Sequence, residues 1–393
     1  MNTWLLKPAE LTLKGGNRKT FENKLKQNLL QMLSSGGIDG KAKVRMTEGR
    51  YYLECHEEKA DIAENILSRL PGISGWAKTV ICNKTVNDVM AACIEEGKKI
   101  ALAGGKTFKI EGRRTDKSFP LDSYKLCCLA GENVLNAASG LKVDVHNPEK
   151  IIYVEIREKA YVYSDVKKGL GGLPAGSAGK GLLLLSGGID SPVAGFLMAK
   201  RGLNIDTVHF HSYPYTSQEA KEKAIHLAKI VGSYCTGSRF YILNFTKVQQ
   251  QIKKCTGNSH EPWITILLRM AMMEAAEEIA NKTNSKCLIT GESLSQVASQ
   301  TIENLSCTQS RIKLPVFRPL IGFCKEDIIK EAQFIGSYQI SIQPYADCCT
   351  LFTPAHPVLY GDPAQACALY ETLELEPSIE EALANAEQIT KNG

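Results

Sequence analysis

The sequence predicts an α/β protein in which residues 181–393 form a doubly wound parallel sheet, preceded by two small α+β domains. Three observations predict this. A glycine-rich run from Gly169 to Gly179 separates two regions of different composition. Beyond it, short unbroken apolar runs alternate with helical segments, the pattern of a parallel sheet covered on both faces. Before it, short strand-like runs are interleaved with amphipathic helices.

In the first region, Phe21, Leu25, Leu29 and Met32 mark one side of a helix over residues 17–34. Strands at 44–46 and 51–55 and a helix at 61–70 follow. A second α+β set comprises a strand at 79–82, helix 86–103, strand 107–111, helix 121–137 and strands at 151–156 and 161–164. The expected domains are 1–58 and 59–166, with 167–180 as a flexible linker. In the last domain, strands are expected at 182–185, 205–210, 240–243 and 287–290. Helices at 192–201, 217–231 and 263–280 lie between them, and right-handed crossovers make the sheet doubly wound.

Composition narrows the class. With 44% hydrophobic and 23% charged residues, the chain reads as a soluble globular protein. No apolar run approaches the ~18 residues that span a bilayer, so no membrane partner is expected. The start lacks the charged end and apolar core of a signal peptide, which points to the cytoplasm. There most of the 13 cysteines should be reduced, small and buried. No Cys-x-x-Cys occurs, so a zinc or iron–sulfur site has no local support. Charge is uneven: residues 1–175 carry 28 Lys and Arg against 21 Asp and Glu, and residues 176–393 carry 19 against 21. A basic front half suggests a polyanion held by one part and worked on by another.

The chemistry is concentrated at Leu182–Pro192, where an apolar strand enters Ser186-Gly187-Gly188 and then a helix. Glycines there let backbone N–H groups approach an anion. Ser191 is placed to cap the helix, with Pro192 at its first position. The helix N-terminus adds positive potential, and Asp190 is placed to hold Mg²⁺ against phosphates. Upstream, Pro174-Ala175-Gly176-Ser177-Ala178-Gly179-Lys180-Gly181 imitates a Walker loop, with Pro174 at the first position. It lacks the first glycine and the hydroxyl after Lys180, and it precedes the strand instead of following it.

Ser-Gly-Gly-x-Asp-Ser resembles the signature of the PP-loop ATP pyrophosphatases, which split ATP into AMP and pyrophosphate and leave AMP on an oxygen. Further motifs narrow the resemblance: Gly291-Glu292-Ser293-Leu294-Ser295-Gln296-Val297-Ala298-Ser299-Gln300-Thr301, then Arg318-Pro319-Leu320-Ile321 before Lys325, then Tyr345-Ala346-Asp347-Cys348-Cys349-Thr350. In this order they resemble the tRNA 4-thiouridine synthetases, the ThiI family. Phe108–Pro120 is similar to the core of a THUMP RNA-binding domain, and the first α+β set to the family's ferredoxin-like domain. Many members carry a C-terminal rhodanese domain. This chain runs 44 residues past Cys349, so it resembles the short form.

The resemblance implies ATP-dependent transfer of sulfur to uridine 8 of tRNA. ATP would lie across Leu184, Leu185, His209, Phe210, Arg269, Gly291 and Gln300, beside Ser186, Gly187, Gly188 and Ser191. Asp190 and Lys325 would serve the phosphates, with Mg²⁺ at Asp190, and Cys349 would carry the sulfur. Arg113, Arg114 and Lys117 are the candidates for tRNA backbone contacts. A separate cysteine desulfurase is the implied persulfide donor. The oligomeric state stays open, with a homodimer among the options. Two rivals stand beside this: another PP-loop tRNA-thiolating enzyme, and a non-catalytic RNA-binding protein with an inactive nucleotide fold.

Overall fold

The computed structural model describes all residues except Lys14, Asp39, Lys41, Glu48, Ala346, Asp347, 349–353 and 391–393. The chain divides into two compact units, Met1–Gly172 and Leu173–Gly393.

The first unit holds two sheets. Its first elements are β1 (Asn2–Pro8), α1 (Arg18–Ser35), β2 (Lys43–Thr47), β3 (Arg50–Cys55), α2 (Ala60–Ser68) and β4 (Ile73–Lys78). They are followed by β5 (Val80–Cys82), α3 (Val86–Leu102), β6 (Thr107–Arg114) and α4 (Ser123–Ala137). The unit ends with β7 (Lys142–Val143), β8 (Lys150–Ile156), β9 (Ala160–Tyr163) and β10 (Lys167–Lys168). The first sheet has the order β10-β4-β1-β3-β2 and the second β5-β9-β8-β6-β7.

β1 escapes a search for alternation because Trp4, Leu5 and Leu6 are all buried. Trp4 and Leu6 face a core shared with α1 and α2. Leu5 faces an aromatic cluster with Tyr52, Tyr161 and Tyr163. A strand covered on both faces reads as a continuous apolar run.

The structure corrects two boundaries. The break expected at 58/59 falls inside the first sheet's domain. α2 contributes Ala63, Ile66 and Leu67 to its core, and β4 pairs with β1, Leu6 opposite Trp76. The expected linker 167–180 is divided between the units. β10 pairs with β4, and the Gly169 N–H bonds to the Ser74 carbonyl at 3.0 Å. A Cβ on Gly169 would stand 2.4 Å from the Ile73 carbonyl oxygen, so glycine here permits close backbone approach rather than flexibility. On the other side, Leu173 N–H bonds to Lys200 O and Ala178 N–H to Gly202 O.

The second unit opens with β11 (Lys180–Leu184), α5 (Asp190–Lys200), β12 (Asn204–His211), α6 (Gln218–Gly232) and β13 (Arg239–Asn244). Next come α7 (Thr246–Thr256), α8 (Ile264–Lys282), β14 (Leu288–Ile289), α9 (Ile302–Gln309), β15 (Val316–Phe317), α10 (Lys325–Phe334) and α11 (Tyr338–Ser341). The last elements are α12 (Pro363–Glu371), α13 (Glu376–Ala384) and β16 (Glu387–Thr390). The sheet order is β15-β14-β11-β12-β13-β16. Its neighbours are parallel, except that β16 runs antiparallel to β13. Chain order therefore reverses between β11 and β14, and a crevice opens beyond the carboxyl ends of those two strands.

Candidate active site

β11 delivers the chain to that crevice, and the turn after it is held by its own hydroxyls. The Ser186 N–H donates to Ser191 Oγ at 3.0 Å, the two hydroxyls lie 3.1 Å apart, and Gly188 N–H donates to Ser186 Oγ at 3.2 Å. The expected cap is corrected here. α5 begins at Asp190 after Ile189, which makes no side-chain cap. Ser191 lies inside the first turn and closes the loop instead. On the neighbouring strand, His209 Nδ1 meets the Leu185 carbonyl at 2.9 Å, which fixes the imidazole against the base of the turn.

Gly291, just past β14, packs directly against the start of α5. A Cβ there would stand 2.6 Å from the Ser191 amide nitrogen and 2.8 Å from its Cα. Only glycine lets these two backbones touch, which explains its place in the motif.

The cleft at this switch point has a cavity volume of about 180 Å³. Leu184, Leu185, Ser186, Asp190, Ser191, His209, Phe210, Arg269, Gly291 and Gln300, all expected from sequence, line it. Gly187 and Gly188 form the turn between Ser186 and Asp190. The sequence reading missed Met272, Met273, Thr290, Glu292 and Thr308 in the same wall, which Cys348 also lines. Glu292 stands directly after Gly291 in a motif already noted, but nothing local marks its direction.

Charges are paired in two groups. Lys325, the first residue of α10, places Nζ 2.6 Å from Asp190 Oδ1, while Gln296 Nε2 donates to Asp190 Oδ2 at 2.9 Å. Glu292, nearly fully buried, joins Arg269 and Arg318. Arg318 Nε lies 2.6 Å from Glu292 Oε2, and Thr290 Oγ1 donates to the same oxygen at 2.8 Å. Arg318 Nη1 also donates to Gln309 Oε1 at 2.8 Å. Burial lowers the Arg318 pKa, since taking a cation out of water disfavours it. Arg269, expected at the nucleotide, is paired here with the Glu292 carboxylate. Glu292 thus holds two guanidiniums, and Arg269 and Glu292 both line the cleft.

Cys349 lies outside the described residues. Its neighbour Cys348 is buried and lines the cleft. The Cys348 carbonyl accepts from Gln249 Nε2 of α7 at 3.0 Å. Elsewhere burial pushes the Cys93 thiol up to about 12 and those of Cys287 and Cys307 up to about 11, as inert core cysteines should be.

In the first unit, Arg113 and Lys117 are exposed around the end of β6. Arg114 is engaged within the fold, where its Nη1 donates to the Phe119 and Leu121 carbonyls, both at 3.0 Å. That bond pair braces the loop entering α4.

The cleft suits a nucleotide. The glycine turn and helix start form an anion seat, and Gln300 Oε1 is a buried acceptor with no hydrogen-bond partner among the described residues. The mixture of Leu, Phe and Met walls with a few convergent polar groups is that of a small-molecule site.

Comparison with known proteins agrees with this partition. Residues 176–375 match the family model described as thiamine biosynthesis protein (ThiI). Residues 3–77 match the ThiI ferredoxin-like domain and 83–165 the THUMP domain. A probable tRNA sulfurtransferase of Treponema pallidum (strain Nichols) is 46% identical over 382 residues, 96% of this chain and 93% of that protein. A probable tRNA sulfurtransferase of Caldanaerobacter subterraneus subsp. tengcongensis is 47% identical over 354 residues, 90% of each. Among solved structures, a 4-thiouridine synthetase–RNA complex with bound ATP is similar at a TM-score of 0.90. It is 34% identical, with 99% of each chain covered.

Proposed function

The chain belongs to the ThiI family, and on that basis we propose that it is an ATP-dependent tRNA sulfurtransferase that makes 4-thiouridine at uridine 8. The observation that carries this reading is the meeting of three features at one switch-point cleft: a hydroxyl-braced glycine turn, the Asp190–Lys325 pair and a cysteine-bearing segment.

ATP lies in the cleft with its adenine along Leu184, Leu185, His209 and Phe210 and its phosphates on Ser186–Ser191. Uridine O4 attacks the α-phosphate, and pyrophosphate leaves as the new O–P bond forms. Lys325 offsets the charge that grows on the departing phosphates. Arg269, held by Glu292, stands in the same cleft wall. Asp190 is the residue that would hold Mg²⁺, and one carboxylate with phosphate and water ligands suits that ion. Bound Mg²⁺ would screen phosphate charge.

In the second half-reaction a persulfide on Cys349 attacks C4 of the adenylated base, and AMP departs. The base is then joined to the cysteine through sulfur, and a second thiol is required to release it. The persulfide comes from a cysteine desulfurase. The first unit, with Arg113 and Lys117 exposed, holds the tRNA backbone, which positions the RNA without reading its sequence.

The test is direct. Incubate the protein with unmodified tRNA, ATP, Mg²⁺, cysteine and a cysteine desulfurase, then digest the tRNA and analyse it by mass spectrometry. Thionucleoside at position 8 that depends on ATP is expected. AMP formation without any thionucleoside would reject the sulfur-transfer half, and the absence of both would reject the reading.

A further inference from the structure

Two tyrosines stand in water at the carboxyl edge of the second unit's sheet. β12 contributes His209 and Phe210 to the cleft wall and continues buried through His211 and Ser212. The chain then emerges for Tyr213, Pro214 and Tyr215 and is buried again at Thr216. Tyr213 is 62% exposed and Tyr215 48%. Single exposed aromatics are ordinary, but this pair is held in place. Ser212 N–H donates to Thr216 Oγ1 at 3.0 Å, and Thr216 N–H donates to the Ser212 carbonyl at 2.9 Å. Thr216 Oγ1 also lies 2.9 Å from His211 Nδ1. The loop is thus pinned at its base.

Its outer part is pinned by the first turns of α7. Thr246 Oγ1 donates to the Tyr213 carbonyl at 2.8 Å, and Gln250 Nε2 donates to Tyr215 Oη at 3.2 Å. Between those residues, Gln249 donates to the carbonyl of Cys348 at the cleft wall. One helical turn therefore holds the tyrosine pair and the cysteine segment together. Residues four apart on a helix are separated by about 6 Å along its axis, so the anchors of the two features lie within one turn of α7.

We propose that Tyr213 and Tyr215 form a stacking platform for the target uracil after it is extruded from the tRNA, holding the base between the nucleotide cleft and the Cys348 segment. This rests on the uridine-modifying reading above. A base under chemical attack must leave its stack and gain another surface. Aromatic side chains supply one to any base. Charge favours this choice: residues 176–393 carry 19 Lys and Arg against 21 Asp and Glu. With no net positive charge over this unit, stacking on the base adds a hold at its active edge that does not depend on phosphate attraction.

Two measurements on the full chain test the platform. In the first, tRNA transcribed with 5-iodouridine in place of uridine is bound to the wild-type protein and irradiated, and crosslinks are mapped by mass spectrometry. A crosslink at Tyr213 or Tyr215 is expected; crosslinks confined to other residues overturn the proposal. In the second, Tyr213→Ala/Tyr215→Ala and Tyr213→Phe/Tyr215→Phe proteins are compared with wild type. The alanine pair should lower kcat/KM for tRNA about 5- to 150-fold, the effect of losing a base–aromatic stack, with ATP and tRNA affinity unchanged. The phenylalanine pair, which keeps both rings, should match wild type. Unchanged kcat/KM in the alanine pair, or an equal loss in the phenylalanine pair, overturns the platform. Crosslinking at the tyrosines by a wild-type protein that makes no 4-thiouridine would leave the platform standing and reject the reaction assigned above.

Discussion

Lys325 and Asp190 are 135 residues apart in sequence and 2.6 Å apart in space. α10 brings the ammonium to the mouth of the glycine turn, and Gln296 holds the other carboxylate oxygen. The lysine remains partly exposed while the aspartate is mostly covered and lines the cleft.

Lys325→Met should lower tRNA-dependent AMP formation by about 10²- to 10³-fold, the usual effect of removing one charge stabiliser from a transition state. Asp190→Ala should abolish it. Both proteins should bind tRNA as wild type does, because neither residue belongs to the basic unit. Radiolabelled ATP gives the AMP yield and filter binding the affinity. Wild-type AMP release from Asp190→Ala would remove the aspartate from the mechanism.

Glu292→Gln should destabilise the second unit. The substitution removes the buried carboxylate that Arg269 and Arg318, both largely covered, share. Breaking a buried pair on one side costs about 3–5 kcal/mol, a fall in Tm on the order of 10 °C for a domain of this size. Differential scanning calorimetry reads it. A Tm equal to wild type would mean that the arginines find other anions.

The first unit should bind tRNA by itself. A fragment of residues 1–172 is the natural test piece, since the units divide there. Its log K should fall steeply with log salt. Arg113→Ala or Lys117→Ala should each reduce that slope by about 1. If the folded fragment fails to bind at low salt while residues 173–393 bind as well as the full chain, the division of labour is refuted.

Cys349→Ser should separate the half-reactions. Pyrophosphate release depends on the turn, Asp190 and Lys325, and should persist. Thionucleoside yield with a desulfurase should vanish, because a hydroxyl forms no persulfide and is scarcely ionised near neutral pH. Cys348→Ser should keep substantial activity. Loss in Cys348→Ser with retention in Cys349→Ser would move the sulfur to the residue that lines the cleft.

Most of the residues that line the switch-point cleft are legible in the sequence. The Ser186–Ser191 turn is readable because few residues permit a tight strand–turn–helix corner that presents N–H groups to an anion. Gly291 is readable as a motif residue, though its reason, contact with the Ser191 backbone, is not. The first domain boundary is misread because Trp4-Leu5-Leu6 shows no alternation, and without β1 the pairing of β4 cannot be inferred.

Residue order alone supplies the available chemistry: a glycine turn, an aspartate beside it, a lysine opening a helix, a cysteine pair and a basic front half. Folding selects which of these meet. Glu292 finds Arg318 only because β14 pairs with both β11 and β15, and Tyr213 and Cys348 share a helical turn only because α7 lies between them. Local sequence sets φ/ψ, capping and burial preference over a few residues. The order of strands in a sheet is chosen by packing across the whole unit, so contacts between distant residues are not written in any one segment.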